Sequence, residues 1–147
     1  MYVMRLTNKG KLFFIYENSF NQVDGKLQLF FDVTYLNTND SASIKMTIYE
    51  SSLVDVDSIA LSWDNNRIIC AEPSLIYKEK KNKLWEHRYD CMFLYHNIMS
   101  AFICEKAPKF TIYVGNNMKQ YTLSDKEWKK LHMHMSDIFM IIQSNVK

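Results

Sequence analysis

The residues best suited to attack a substrate are two cysteines, Cys91 and Cys104, if either has a histidine partner in the fold. An imidazole beside a thiol activates it as a nucleophile, and the two residues need not be close in sequence. Both cysteines, however, fall at or near apolar positions of predicted helices, where cysteine usually acts as a small hydrophobic residue. We therefore predict no catalytic residue, and we expect a protein that is not an enzyme.

The four histidines do not predict a metal site. His87 and His96 lie nearest in sequence to the cysteines, but the spacing is not that of known zinc ligand sets. His132 and His134 are two positions apart in a predicted helix, which separates them by about 200° around its axis. Metal-binding pairs on helices use a spacing of three or four, as in H-E-x-x-H. We predict no metal ligand.

Motifs for phosphate, calcium and hydrolase chemistry are also missing from the sequence. It contains three glycines and has no P-loop, no dinucleotide-binding fingerprint and no G-x-S-x-G. The segment Asp55-Val56-Asp57 is similar to part of a calcium loop, but the glycine and the final glutamate of that loop are absent. We expect this segment to be a solvated connection, and we predict no cofactor.

A basic stretch, Lys78-Glu79-Lys80-Lys81-Asn82-Lys83, precedes Trp85 and Tyr89. Basic residues interleaved with aromatic residues can bind single-stranded nucleic acid. Lysines at a hairpin tip also keep the tip soluble and hinder pairing between sheet edges. We favour the second interpretation, because a net charge of +2 gives no strong attraction to nucleic acid or to an anionic membrane.

The elements are clearest in the last third of the chain. Alternating residues predict a strand from Lys109 to Val114 and a returning strand from Met118 to Leu123, joined at Gly115-Asn116-Asn117. Ser124 and Glu127 have the spacing of a capping box that starts a helix. Apolar residues then follow helical spacing, which predicts one buried stripe. This stripe comprises Trp128, Leu131, His132, Met135, Ile138, Phe139 and Ile142.

The preceding residues alternate in the manner of strands. We predict strands near residues 2–7, 11–16, 26–36, 43–49, 58–63, 67–72, 75–80 and 84–89, with a loop at 17–25. Asp90 is the expected N-cap of a helix that ends near Lys106. The predicted fold is α+β: a mostly antiparallel sheet of about six to eight strands, with a helix–hairpin–helix C-terminal third packed on one face. A two-sheet sandwich with peripheral helices is the alternative.

Composition sets the remaining expectations. The chain of 147 residues is the size of a single globular domain, residues 1–147, with enough length for a hydrophobic core. No apolar run approaches the length of a membrane span, and the first residues do not have the pattern of a secretory signal. Three cysteines without C-x-x-C spacing indicate reduced thiols, with one disulfide as the alternative. We therefore expect a cytoplasmic protein.

These observations lead to two hypotheses about function. The first is a non-enzymatic binding or protein-interaction module that works through an aromatic sheet face or a sheet edge, with a protein partner or a second copy in a homodimer. Phe30 and Leu36 on the mixed face of one strand indicate either a second buried layer or a contact patch. The second hypothesis is a small-ligand pocket between the sheet and the C-terminal helix. Its candidate lining residues are Trp63, Trp85, Tyr89 and Trp128.

Overall fold

The computed structural model describes residues 1–145, which contain ten strands and two helices. The strands are β1 (Tyr2–Thr7), β2 (Gly10–Gln22), β3 (Gln28–Leu36), β4 (Ser41–Glu50), β5 (Ser58–Trp63), β6 (Asn66–Cys70), β7 (Ser74–Lys81), β8 (Leu84–Leu94), β9 (Lys109–Val114) and β10 (Asn117–Thr122). The helices are α1 (Tyr95–Ile103) and α2 (Asp125–Gln143). The prediction of about six to eight strands is wrong, because every segment with strand character joins the same sheet.

All ten strands form one sheet that curves into a half-barrel. The order is β6-β5-β9-β10-β2-β3-β4-β8-β7, and β1 pairs with β2 outside this path. Each pairing is antiparallel. The predicted mostly antiparallel sheet with a C-terminal helix is therefore confirmed, and the alternative of two separate sheets is not.

Strand β2 is longer than predicted. The polar residues after Glu17 suggest a loop, but the strand continues to Gln22 through an irregularity between Ile15 and Asn18. A bulge of this kind lets one strand bend and keep pairing on both sides of the irregularity. Phe20 is fully buried by this continuation, as expected from its apolar side chain, and it lies opposite Leu29 of β3.

Strand β8 also extends beyond its predicted end. Asp90 does not cap a helix; it lies opposite Lys45 in the β4–β8 ladder and accepts a hydrogen bond from the Ser43 hydroxyl. Helix α1 begins only at Tyr95, with no side-chain cap. The spacing of Tyr95, Ile98 and Phe102 fits a helix, but the sequence does not show how far the strand before it extends.

The two helices pack in the concave side of the half-barrel. Helix α2 begins with the predicted capping box: the Glu127 amide donates to the Ser124 hydroxyl, and the Glu127 carboxylate accepts from the Ser124 amide. Its stripe is buried at Trp128, Met135 and Ile138 as well as at Phe139 and Ile142, whereas Leu131 and His132 are half-buried. Trp128 packs against Phe20 and Phe102, with ring centroids 6.2 and 6.3 Å apart.

The C-terminal third does not form a separate helix–hairpin–helix unit on one face, and this part of the prediction is wrong. Strands β9 and β10 lie inside the sheet, where β9 pairs with β5 and β10 pairs with β2. Sequence order alone cannot show this, because β5 inserts beside β9 from a distant part of the chain. Helices α1 and α2 pack on the concave face.

Candidate functional site

His87 forms hydrogen bonds through both of its ring nitrogens. Its side chain is fully buried on the inner face of β8. The Val54 N–H donates to Nε2 at 3.2 Å, so Nδ1 carries the proton and donates to the Trp85 carbonyl at 3.1 Å. Burial lowers the pKa of His87, which keeps the ring neutral. Both ring nitrogens are therefore occupied in fixing residues 51–57 against the sheet.

Cys91 and Cys104 lie in surroundings that suppress thiolate formation. Burial raises the pKa of Cys91, which lies beside Cys70, and burial also raises the pKa of Cys104. A reactive cysteine needs the opposite shift. His132 is occupied elsewhere, since its Nε2 donates to the Ile103 carbonyl at 2.8 Å. His96 and His134 are exposed. Within residues 1–145, no three histidine, cysteine or acidic side chains are arranged to hold a metal ion.

The segment Asp55-Val56-Asp57 fastens the connection between β4 and β5. Asp55 forms a salt bridge of 2.5 Å with Lys78, and the Asp57 carboxylate accepts from the Gly115 N–H at 2.6 Å. The Val56 N–H donates to the Tyr89 hydroxyl at 3.2 Å. These contacts therefore fix the connection to β7, β8 and the β9–β10 turn.

The basic stretch is already engaged within the fold. Lys78 pairs with Asp55, the Lys80 ammonium lies 6.0 Å from the centre of the Trp85 ring, and Lys81 pairs with Glu86 at 3.1 Å. Three lysines of the stretch thus contact neighbouring side chains, and this arrangement agrees with a structural role for the tip.

The four aromatic residues predicted to line a ligand pocket are dispersed. Trp128 is 1% exposed, and its indole N–H donates to the Cys104 carbonyl at 3.0 Å. Trp63 lines a separate cavity of about 610 Å³ beside Lys106. The Trp85 ring faces the Lys80 ammonium, and the Tyr89 hydroxyl accepts a hydrogen bond from the Val56 N–H. A cavity of about 510 Å³ between the β3–β4 turn and the ends of the helices is lined by none of the four.

The strongest concentration of polar contacts lies on the outer, convex face of the sheet and centres on Glu86. This carboxylate is 5% exposed. It accepts hydrogen bonds from the Tyr49 hydroxyl at 2.8 Å and from the Tyr77 hydroxyl at 3.0 Å, and it pairs with Lys81. Tyr49 and Glu86 lie directly opposite each other on β4 and β8, and Tyr77 follows on β7. The two strands that flank β8, β4 and β7, therefore direct side chains at one carboxylate.

The ionisation states of this cluster are fixed by the same contacts. Burial together with the hydrogen bond to Glu86 raises the pKa of Tyr49 to about 12 and also raises the pKa of Tyr77. Burial acts to raise the pKa of Glu86, but hydrogen bonds from the two phenols and from Lys81 outweigh it, so the net shift is downward. At neutral pH the cluster holds a charged carboxylate between two neutral phenols.

A second ion pair borders the same surface. Arg88 donates to Asp32 at 2.7 Å and to the Thr47 hydroxyl at 2.9 Å, which links β8, β4 and β3. Both charges are partly buried. The pair supports the outer face beside Glu86 and leaves the Arg88 charge neutralised.

These residues surround a cavity of about 300 Å³. Phe30 forms one wall and meets Tyr49 edge to face, with ring centroids 6.2 Å apart. Glu17, at the irregularity in β2, is exposed at the rim, and its carboxylate has no hydrogen bond or salt bridge within residues 1–145. We call this set (Glu17, Phe30, Thr47, Tyr49, Tyr77, Glu86 and Arg88) the outer-face site.

A second carboxylate, Glu50, lies on the inner face one position further along β4. It is 8% exposed and pairs with Lys119 of β10 at 2.5 Å. The Tyr121 hydroxyl is buried near Glu50 and makes no hydrogen bond within the described residues. Burial raises the pKa of Tyr121 to about 12. Beside Glu50 and Lys119 is a cavity of about 300 Å³ with walls from Val54, Ile112 and Val114.

Sequence reasoning found part of the outer-face site. It placed Phe30 on the mixed face of its strand and raised it as a candidate contact residue. Phe30 is half-buried against Tyr49. Glu86 was missed, because its importance depends on the pairing of β4 with β8, which are separated by three other strands in the sequence.

None of the helices in the described part of the chain is long and apolar enough to cross a membrane. Comparisons with protein-family models, with curated proteins and with solved structures find no match to this chain. The geometry of the two carboxylate clusters is therefore the basis for a functional proposal.

Proposed function

We propose that the protein is a non-enzymatic interaction module whose outer-face site binds a basic side chain, lysine or arginine, of a partner protein. The observation that carries this proposal is the combination of an aromatic-walled cavity with one carboxylate, Glu17, that has no ion-pair partner in the described chain. The remaining charges of the site are matched in pairs.

The charge balance favours a cation. Arg88 is neutralised by Asp32, and Lys81 is neutralised by Glu86. Glu17 then leaves the rim with a net negative charge. A basic side chain that enters the site gains this unpaired partner, whereas an acidic side chain meets a like charge.

The aromatic walls favour the same ligand. Phe30, Tyr49 and Tyr77 come from three strands around the cavity. The face of an aromatic ring attracts an ammonium or guanidinium group by about 0.5–1 kcal/mol at an exposed site. A cavity of about 300 Å³ is at the small end of ligand pockets, which suits one side chain better than a whole cofactor.

Two of the aromatic walls of the outer-face site are held in place by hydrogen bonds. Both phenols are held by Glu86, so their rings are already positioned before a ligand arrives. Preorganised side chains lose less entropy on binding, which raises affinity for a given set of contacts.

A backbone-amide NMR titration tests the proposal. The ligands are two short peptides of equal length that differ only at the central residue, lysine in one and glutamate in the other. We expect the lysine peptide alone to shift the amides of Phe30, Tyr49, Tyr77 and Glu86. Tyr77→Ala removes one aromatic wall and should weaken binding about threefold. Equal shifts with both peptides, or shifts confined to another surface, would contradict the proposal.

A second candidate function is the binding of a small polar molecule beside Glu50. It is favoured by the Tyr121 hydroxyl, which is buried without a partner in residues 1–145. Buried hydroxyls almost always have a hydrogen-bond partner, and a bound molecule would supply one. This candidate keeps the earlier ligand hypothesis but places the site at Glu50 rather than against the last helix. If metabolite-sized polar compounds raise the melting temperature of wild type and of Tyr121→Phe equally, this candidate fails.

A further inference from the structure

Within residues 1–145, strand β1 presents a free edge whose hydrogen-bonding groups can be assigned. The Tyr16 N–H donates to the Met1 carbonyl at 3.0 Å, and Tyr2 lies opposite Ile15. In an antiparallel ladder the residues on one strand alternate in pointing their N–H and C=O groups toward the neighbour and away from it. Val3, Arg5 and Thr7 therefore bond to β2. The N–H and C=O groups of Tyr2, Met4 and Leu6 point to the open side.

This edge lacks the protection that the other free edges have. Strand β7 has an irregularity between Leu75 and Tyr77 and is rich in lysine. Strand β6 has only five residues and contacts β8 near Cys70 and Cys91. Bulges, lysines and short length all hinder pairing of one edge with another. In β1, six residues keep a regular register with one charge, that of Arg5.

The sequence of β1 matches itself in one register. When two copies run antiparallel with Met4 opposite Met4, Tyr2 lies opposite Leu6 and Val3 lies opposite Arg5. The outward groups of Tyr2, Met4 and Leu6 then pair in both copies, which gives about six hydrogen bonds.

Neighbouring registers are worse. A shift of the centre by one residue toward the β1–β2 turn places Arg5 opposite Arg5, and like charges directly opposite each other are destabilising. A shift of the centre by one residue the other way pairs β1 with its copy over only Tyr2, Val3 and Met4.

The side chains on this edge also gain from pairing. Met4 is 44% exposed and Leu6 is 77% exposed. Both lie on the face shared with Tyr2, since residues two apart in a strand share a face. In the matched register each copy covers these residues with the same residues of the other copy. A two-fold axis normal to the sheet relates the two copies, as in the commonest type of homodimer.

We infer that the protein forms a symmetric dimer in which two β1 strands pair antiparallel around Met4. The two half-barrels then share one continuous sheet. This inference concerns the edge and not the outer-face site, so either can fail without the other.

Multi-angle light scattering, with any tag placed at the C-terminus, tests the dimer. We expect a mass of twice 17.5 kDa at about 100 µM protein. Met4→Pro removes the central outward N–H without removing a bond to β2, and it should yield a folded monomer by circular dichroism. Met4→Ala keeps that N–H and should remain a dimer with weaker association. A monomeric wild type, or a Met4→Pro protein that is still dimeric, would overturn the inference.

Cysteine cross-linking tests the register. In a background of Cys70→Ser and Cys104→Ser, Met4→Cys brings two thiols onto opposite residues whose Cα atoms are about 5.5 Å apart. That distance suits a disulfide. Two Leu6→Cys residues would be about 14 Å apart. We expect copper-phenanthroline oxidation to cross-link Met4→Cys and not Leu6→Cys. Preferential cross-linking of Leu6→Cys, or no cross-linking of Met4→Cys, would contradict the register.

Discussion

Two buried carboxylates on opposite faces of the half-barrel differ in how completely they are satisfied. Tyr49 lies opposite Glu86 in the β4–β8 ladder, and the next residue, Glu50, lies opposite Trp85 on the other face. Glu86 receives two phenols and a lysine, whereas Glu50 receives one lysine and lies near a phenol without a partner. Adjacent positions in one ladder therefore build a preorganised network on one face of the sheet and an incomplete network on the other.

The largest expected effect comes from Glu86→Ala. This change leaves the Tyr49 and Tyr77 hydroxyls and Lys81 without their acceptor, and unpaired groups in partly buried surroundings are costly. We expect a loss of about 2–4 kcal/mol in the free energy of unfolding, measured by urea denaturation. A loss below about 0.5 kcal/mol would show that the network does not stabilise the fold.

Glu50→Ala should have a smaller effect. It removes one ion pair, and the Lys119 side chain is 36% exposed, so water can solvate the freed amine. We expect a loss of about 1–2 kcal/mol by the same urea measurement. If Glu50→Ala destabilised the protein more than Glu86→Ala, the ranking of the two networks would be wrong.

The pH dependence of stability should follow the outer-face site. The folded-state pKa of Glu86 lies below its usual value, so its contribution is present above the unfolded pKa and is lost as pH falls through the folded pKa. The folded-state pKa of Tyr49 is raised from 10.0 to about 12, so its contribution is present below pH 10 and is lost as pH rises through about 12. Denaturation of Tyr49→Phe between pH 9 and 12 should show a shallower alkaline decline than wild type. Parallel curves would contradict the assignment.

Tyr121→Phe should have the smallest effect, and its sign is informative. Removing a buried hydroxyl that has no partner should leave stability unchanged or raise it by up to about 1 kcal/mol. Tyr49→Phe is the matched control, because its hydroxyl does have an acceptor and its loss should be destabilising. A clear destabilisation by Tyr121→Phe would show that the inner hydroxyl is bonded, to water or to a ligand.

Local signals in the sequence predicted those elements that depend on neighbouring residues. Ser124 and Glu127 define the start of α2, and the alternation of Leu29, Phe31 and Val33 defines the inner face of β3. The continuation of β2 past Glu17 and of β8 past Asp90 could not be predicted, because the strands that pair with them there are distant in sequence.

The same reason explains why only part of the candidate site could be predicted from the sequence. Phe30 and Tyr49 could be placed on the outer face by their position in alternating strands. The role of Glu86 depends on β4 and β7 flanking β8, since these two strands supply its partners. Interactions between distant strands, and not local propensity, position the outer-face site.

The affinity of a basic peptide for three forms of the protein tests the central claim most directly. Isothermal titration calorimetry with the lysine-centred peptide would compare wild type, Glu17→Gln at the outer rim and Glu50→Gln on the inner face. We expect Glu17→Gln to raise the dissociation constant about fivefold, because it removes the unpaired charge, and Glu50→Gln to leave it unchanged. Equal effects of the two substitutions, or no effect of Glu17→Gln, would contradict a cation-binding role for the outer-face site.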